Sequence, residues 1–212
     1  QNKHEEAIVV YRRYLEMNPA RIGIRVKIAE LLMKTDREEA AEKELREVLK
    51  ISPENREVQM ALGLLYYDIR RYDQAAAQFS LLLETTPADD KLRYLLASVL
   101  EQKGDLQKAL TEYQKISPKF ELYANAQIQA AKLIKQDGDF TGAIAVVRRA
   151  IVQRKDQAIL YLYLSSLYEE QKDMAAAEKT VREGTGLFPG NTDLHYLLGA
   201  LLEKTGRFEE SI

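Results

Sequence analysis

The chain repeats itself every 34 residues, and this period constrains its fold more than any other feature of the sequence. Pro19, Pro53 and Pro87 are spaced by one period, and Pro189 lies three periods after Pro87. Small residues keep the same spacing along the whole chain: Ala7, Ala41, Ala75, Ala109, Ala143, Ala177 and Ser211. Because each repeated unit buries its apolar face against its neighbours, the period predicts a stack of similar units rather than one closed core.

Each period carries the pattern of two helices. From Leu92 to Leu100, apolar residues follow the i, i+3, i+4, i+7 spacing that gives a helix one apolar face. The pattern pauses at Gly104 and resumes at Leu106, and prolines end the second helix because proline lacks an N–H. Gly104 occupies a turn position of the repeat, and the equivalent position in other repeats is held by Asp36, Gly138 and Gly206. Since no segment has the pattern of a β-strand, the predicted fold class is all-α.

The third of these units resembles the tetratricopeptide repeat (TPR). Its matching residues are Gln59-x2-Leu62-Gly63-x2-Tyr66, Ala75-x3-Phe79 and Pro87, with Gln59 in place of the family's leading Trp. The resemblance extends over the whole chain. It implies a right-handed α-solenoid of antiparallel helix–turn–helix units with a 34-residue period.

Residues 1–212 are accordingly predicted to form one TPR array. The repeats are a half repeat at 1–21, full repeats at 22–55, 56–89, 90–123, 124–157 and 158–191, and a partial repeat at 192–212. Neither end has the polar capping helix that natural arrays use. We therefore expect the parent protein to continue in both directions, or the uncapped ends to self-associate end to end if the segment stands alone.

One repeat boundary departs from the 34-residue period. Pro118 lies three residues before the position that the spacing of the other prolines predicts. We expect a shortened second helix before it. Ser117 followed by Pro118 has the pattern of a helix start, which predicts a lengthened next helix reaching Lys135 or Gln136.

Composition and motifs argue against catalysis. Basic and acidic side chains number 31 and 33, so there is no overall charge to favour nucleic acid, and no apolar run is long enough to insert into a membrane. Cysteine is absent, and His4 and His195 are isolated, His195 being interpreted as a packed structural residue. Asp137-Gly138-Asp139 lacks the later ligands of a calcium loop. We predict no catalytic residues, no metal and no cofactor.

The resemblance implies a binding role, because the first helices of TPR units line a concave groove. The residues predicted to line this groove at the fifth position of each repeat are Met60, Tyr94, Ile128, Leu162 and Tyr196. One and two turns further on come Leu64, Tyr67, Lys132, Lys135 and Glu169. These predict an apolar floor, a basic step at Lys132 and Lys135, and an acidic stretch beyond it, suited to an extended or helical ligand. The alternative is that the apolar residues only pack against the next unit.

The leading functional prediction is a non-catalytic scaffold that holds a protein or peptide partner in this groove. The alternative is a regulatory or substrate-recognition arm of a larger enzyme or envelope assembly machine. A third hypothesis, RNA binding, requires a basic groove and is opposed by the acidic later units. The regular Leu/Ala/Glu/Lys-rich units also resemble long bacterial TPR proteins, which predicts a cytoplasmic or cell-envelope location.

Overall fold

A computed structural model describes residues 2–207, apart from the side chain of Asn2. Within this range there are twelve α-helices and no strand. They are α1 (Asn2–Met17), α2 (Ile22–Met33), α3 (Glu38–Ile51), α4 (Arg56–Asp68), α5 (Tyr72–Thr85), α6 (Asp90–Lys103), α7 (Leu106–Gln114), α8 (Tyr123–Gln136), α9 (Phe140–Gln153), α10 (Ala158–Glu170), α11 (Met174–Leu187) and α12 (Thr192–Lys204). The helix predicted to start at the end of the partial repeat lies outside the described residues.

The helices form sequential antiparallel pairs, which confirms the predicted all-α fold of helix–turn–helix units. The chain divides into two compact units, Gln1–Asp105 and Leu106–Ile212. In the first unit each helix from α1 to α5 packs against the helix that follows it. In the second unit the same is true of α7 to α11, and α10 also packs against α8 and α12. The first helices of neighbouring pairs are therefore in contact in the second unit.

Five of the periodic alanines lie in the core. They are completely buried, and they are Ala41, Ala75, Ala109, Ala143 and Ala177, whereas Ala7 is partly exposed. A small side chain at this position lets two helices approach closely, while large residues one or two turns away fill the space between them. The period therefore reflects a repeated close contact.

Every turn inside a described pair contains one residue in the left-handed conformation. The four predicted positions are confirmed: Asp36 has φ of 55°, and Gly104, Gly138 and Gly206 have φ of 91°, 85° and 77°. Arg70 and Lys172 occupy the same phase with φ of 59° and 63°, although neither residue type indicates such a turn. The backbone of the repeat therefore imposes this conformation on whichever residue stands there.

The segment around Pro118 is partly as predicted. Helix α7 is short, with nine residues against 14 in α9, and α8 ends at Gln136. The prediction that Ser117-Pro118 starts a lengthened helix is wrong, because α8 begins at Tyr123. The Ser117 hydroxyl oxygen instead accepts a hydrogen bond from the N–H of Lys119 (3.2 Å), which forms a local turn.

In several repeats the fourth position, where the family's Trp is replaced, holds a polar side chain bonded to the preceding turn. Gln59 Nε2 donates to the carbonyl of Pro53 (2.9 Å), and Arg25 Nη2 reaches that of Pro19 (3.4 Å). His195 Nε2 lies 2.9 Å from the carbonyl of Pro189. His195 is exposed, so the interpretation of it as a packed residue is wrong. Its role is nevertheless structural, since it ties α12 to the preceding loop.

Candidate partner-binding surface

An open cleft of about 330 Å³ lies between α8 and α10, the first helices of two successive pairs in the second unit. It is lined by Ile128, Lys132, Ile159, Leu162, Tyr163 and Ser166. Ile128 is only 6% exposed and forms the floor, whereas Ile159 is 41% exposed. This volume lies at the low end of the range for ligand sites, about 300–1,000 Å³. The cleft therefore has room for one large apolar side chain of a partner.

Three of the residues predicted to line a groove meet in this cleft, namely Ile128, Lys132 and Leu162. The sequence analysis missed Ile159 and Tyr163 as candidates. A signal for them was available, because 159, 162, 163 and 166 follow the i, i+3, i+4, i+7 spacing of one helical face. Two such faces, one on α8 and one on α10, are needed to form the cleft.

The charged candidates of this unit are mostly paired. Lys135 Nζ lies 2.8 Å from Glu170 Oε1, and so joins α8 to α10 beside the cleft. Glu169 is paired with Lys204 of α12. Lys132 is exposed and has no ion-pair partner in the part of the chain that the structure describes. Of the two lysines predicted to form a basic step, only Lys132 therefore presents an uncompensated charge.

Tyr163 contributes a second polar group to the cleft wall. Its hydroxyl is buried and has no hydrogen-bond partner among residues 2–207. Burial raises the pKa of Tyr163, and the negative charge of Glu170 raises it further. The Ser166 hydroxyl donates to the carbonyl of Tyr163 (2.8 Å) and is thus already satisfied. The buried hydroxyl of Tyr163 can donate or accept a hydrogen bond, whereas the ammonium group of Lys132 can only donate.

In the first unit, the predicted residues lie on α4 and α6. Leu64 is 37% exposed, while Met60, Tyr67 and Tyr94 are half-buried. Burial raises the pKa of Tyr94, with smaller contributions from Glu101 and from the nearby Tyr67. The Tyr67 ring also packs against Tyr72, with 6.1 Å between ring centroids. The predicted residues of this unit are thus apolar or aromatic rather than charged.

Tyr196, the last fifth-position candidate, is 81% exposed on α12. Tyr196 does not line the cleft between α8 and α10. It stays a predicted partner-binding residue that the structure leaves accessible.

No helix between residues 2 and 207 combines the length and apolar character needed to cross a bilayer. No group of three or more His, Cys, Asp or Glu side chains in this range is placed to hold a metal ion.

Sequence comparison places these helix pairs in a family. Family models described as tetratricopeptide repeat match residues 1–65, 60–120 and 129–192. The chain belongs to the tetratricopeptide repeat family. Repeats of this family are generally non-catalytic protein-interaction scaffolds, and the matching models are of that kind.

The chain is also similar in sequence to an individual protein. The chain is 27% identical over 198 residues to a protein of Drosophila melanogaster named as a homolog of the BBSome complex member BBS4. That match covers 88% of this chain but 38% of the relative, so the chain spans well under half of its length.

Two solved structures share the fold. The C-terminal part of a TPR protein from Cytophaga hutchinsonii superposes with a TM-score of 0.73 at 12% identity, covering 99% of this chain and 84% of that one. YrrB, described as a TPR protein with an unusual peptide-binding site, gives a TM-score of 0.59 at 17% identity, covering 92% and 97%. Since an insect and a bacterium both supply similar proteins, a bacterial origin stays a prediction.

Proposed function

We propose that this protein is a non-catalytic scaffold that binds a peptide or helix of a partner protein on the surface formed by the first helices of its repeats. The observation that carries the proposal is the open apolar cleft between α8 and α10. Exposed and half-buried apolar side chains at neighbouring first helices are what a partner segment buries on binding.

The predicted residues would contribute to the binding surface in both units. In the second unit, Ile128 and Leu162 supply the apolar floor, while Lys132 supplies charge at the edge. In the first unit, Met60 and Leu64 offer apolar area. Tyr67 and Tyr94 add aromatic rings that bury large areas, and rings of this kind often dominate the binding energy of an interface. Lys135, Glu169 and Tyr196 would belong to the margins of the surface.

A second candidate function is that of an arm within a larger assembly. It is favoured by the likeness to a BBSome complex member and by the fact that this chain spans 38% of that relative. In this case the same surfaces would contact neighbouring subunits. Co-purification as a fixed stoichiometric complex distinguishes this from exchange of peptide partners.

The proposal is tested by affinity capture from a lysate of the source organism with quantitative mass spectrometry. Leu64→Glu and Ile159→Glu each place a charge on a first helix, at positions 37% and 41% exposed. Leu81→Glu and Val152→Glu are matched controls on second helices, at positions 46% and 69% exposed. We expect captured proteins to be lost with the first pair and kept with the second, all four variants being helical by circular dichroism. Equal capture by all four would refute the assignment of the surface.

A further inference from the structure

The cleft between α8 and α10 has a definite electrostatic character, which the predicted pattern of charges did not show. Lys135 and Glu170 neutralise each other across the two helices at 2.8 Å, and Glu169 is engaged by Lys204. Lys132, which lines the cleft itself, is exposed and without an ion pair in the described residues. The remaining charge at the cleft is therefore one positive charge.

The polar groups of the cleft differ in what they offer a partner. The Lys132 ammonium group is exposed and can only donate hydrogen bonds. The Tyr163 hydroxyl is buried and the Ser166 hydroxyl is already bonded to a backbone carbonyl, so neither favours one partner chemistry. A partner group that accepts hydrogen bonds and carries negative charge would complement Lys132, whereas a basic side chain would be repelled by it.

The rest of the cleft is apolar and small. Ile128, Ile159 and Leu162 provide the lining, and the volume of about 330 Å³ suits one large side chain. The Lys135–Glu170 pair joins the two helices next to it, so the cleft exists before a partner arrives. Preorganisation of this kind reduces the entropy lost on binding.

We infer that the α8–α10 cleft selects a partner segment in which a large apolar residue stands beside an Asp or Glu, the apolar side chain entering the cleft and the carboxylate pairing with Lys132. This inference rests on the proposed function and specifies the chemistry of the partner. It is confined to this cleft and does not extend to the surface of the first unit that carries Met60, Leu64, Tyr67 and Tyr94.

The test is a selection from a phage-displayed library of random 12-residue peptides. The selected peptides are then synthesised and their affinities measured by fluorescence anisotropy. The bait proteins are wild type, Lys132→Glu and Lys179→Glu, the last reversing the charge of an exposed lysine on the second helix α11. Ile159→Arg and Val152→Arg form a second matched pair, inside and outside the cleft.

We expect wild type and Lys179→Glu to enrich peptides with Asp or Glu within two positions of a large apolar residue. Lys132→Glu should bind those peptides about five- to tenfold more weakly, as befits exchanging an exposed attraction for a repulsion. Affinity should fall with added salt for wild type and much less for the Lys132 variant.

The outcomes separate the inference from the proposed function. Peptides that are lost with Ile159→Arg, kept with Val152→Arg and indifferent to Lys132→Glu would overturn the acidic specificity and leave the cleft as a binding site. Selected peptides that bind Ile159→Arg and Val152→Arg equally, or a selection that yields no binder, would count against both.

Discussion

Gly63 marks a close contact between the two helices of a pair in the first unit. A Cβ added to this residue would lie 2.9 Å from Cδ1 of Phe79 and closer still to Cε1, and Phe79 is fully buried. The preceding repeat carries Ala29 and Leu45 at the equivalent positions, 34 residues earlier. A larger residue on one helix is thus matched by a smaller one on the other.

We predict that Gly63→Ala lowers the free energy of unfolding by about 1–3 kcal/mol, the usual cost of overpacking a core. The double variant Gly63→Ala/Phe79→Leu recreates the pair found one repeat earlier. It should be more stable than the sum of the single variants by at least about 0.5 kcal/mol in urea denaturation. Additive effects would show that the two side chains do not limit each other.

Tyr161 carries a buried polar group that the fold does not satisfy. Its side chain is 1% exposed, packs edge-on against Phe188 at 6.0 Å between centroids, and its hydroxyl has no partner in the described residues. We predict that Tyr161→Phe raises the free energy of unfolding by up to about 1 kcal/mol, because an unpaired buried hydroxyl is costly.

The matched variant for this prediction is Tyr66→Phe. The Tyr66 hydroxyl donates to Glu42 (3.0 Å) and accepts from Arg46 (3.1 Å). Its removal should lower the free energy of unfolding by about 1–2 kcal/mol, since bonds to charged groups are lost. The same sign for both variants in thermal or urea denaturation would contradict the argument from hydrogen bonding.

The left-handed turn residues give a third prediction. Arg70 adopts a φ of 59°, which costs a non-glycine residue roughly 1–2 kcal/mol, while glycine gives the unfolded chain more freedom. Arg70→Gly should therefore raise the free energy of unfolding by about 0.5–1 kcal/mol, measured by urea denaturation.

The opposite substitution, from glycine to alanine, can be tested at two glycines where an added Cβ has the same free space. An added Cβ would meet nothing within 4 Å at Gly104 or at Gly186, but Gly104 has φ of 91° whereas Gly186 lies within α11. Gly104→Ala should destabilise by about 1–2 kcal/mol and Gly186→Ala should stabilise by about 1 kcal/mol. Two effects of the same sign would rule out backbone conformation as the cause.

At the scale of the helix, the residue after each left-handed position decides how the second helix is attached. Arg71 lies 2.8 Å from Glu42, and Arg207 lies 2.7 Å from Glu178, both carboxylates belonging to the previous second helix. Aspartate at this position acts within its own helix: Asp173 Oδ1 accepts from the N–H of Ala176 (3.0 Å). One position thus serves either as a link between repeats or as a helix cap.

The link at Glu178 predicts a pH effect. Hydrogen bonds from Arg182 and Arg207 lower the pKa of Glu178 below its ordinary value, so the folded state prefers the carboxylate. Its contribution is present above the ordinary glutamate pKa and is lost as the pH falls through the lowered value. Glu178→Gln should reduce stability at pH 7 by up to about 1 kcal/mol and have little effect at pH 3.

The matched variant is Glu183→Gln, an exposed residue of the same helix with no ion pair among residues 2–207. It should leave the difference between pH 7 and pH 3 unchanged in urea denaturation. If both variants flatten the pH dependence alike, the effect belongs to net charge rather than to the link between helices.

At the scale of the whole molecule, the net charge is close to zero, but the charged residues are unevenly distributed along the chain. Residues 124–157 contain six basic and three acidic side chains, and 158–191 contain three and five. Much of this imbalance is cancelled by pairs such as Lys135–Glu170 and Lys204–Glu169. Of the charged side chains at the α8–α10 cleft, Lys132 is left without an ion pair among the described residues, and the binding hypothesis therefore centres on it.

The sequence by itself determined the all-α repeat, its helix pairs and most of its turns. These follow from local rules: a 34-residue period, a 3.6-residue apolar spacing, and glycine or proline at chain reversals. Three of the residues of the cleft, Ile128, Lys132 and Leu162, were also predictable, because repeat phase identifies the face of a first helix. The remaining cleft residues, on α10, could be recognised in the sequence only as part of one face of a helix.

The tertiary structure alone decided which side chains find partners. Pairing of Lys135 with Glu170, the isolation of Lys132 and the unsatisfied hydroxyls of Tyr161 and Tyr163 depend on distances between helices. So does the start of α8 at Tyr123, where a local turn at Ser117 replaced the predicted helix start. Sequence periodicity specifies the face on which a residue lies. Ion pairs and hydrogen bonds form only when atoms on two helices come within about 3 Å, and that distance is set by packing.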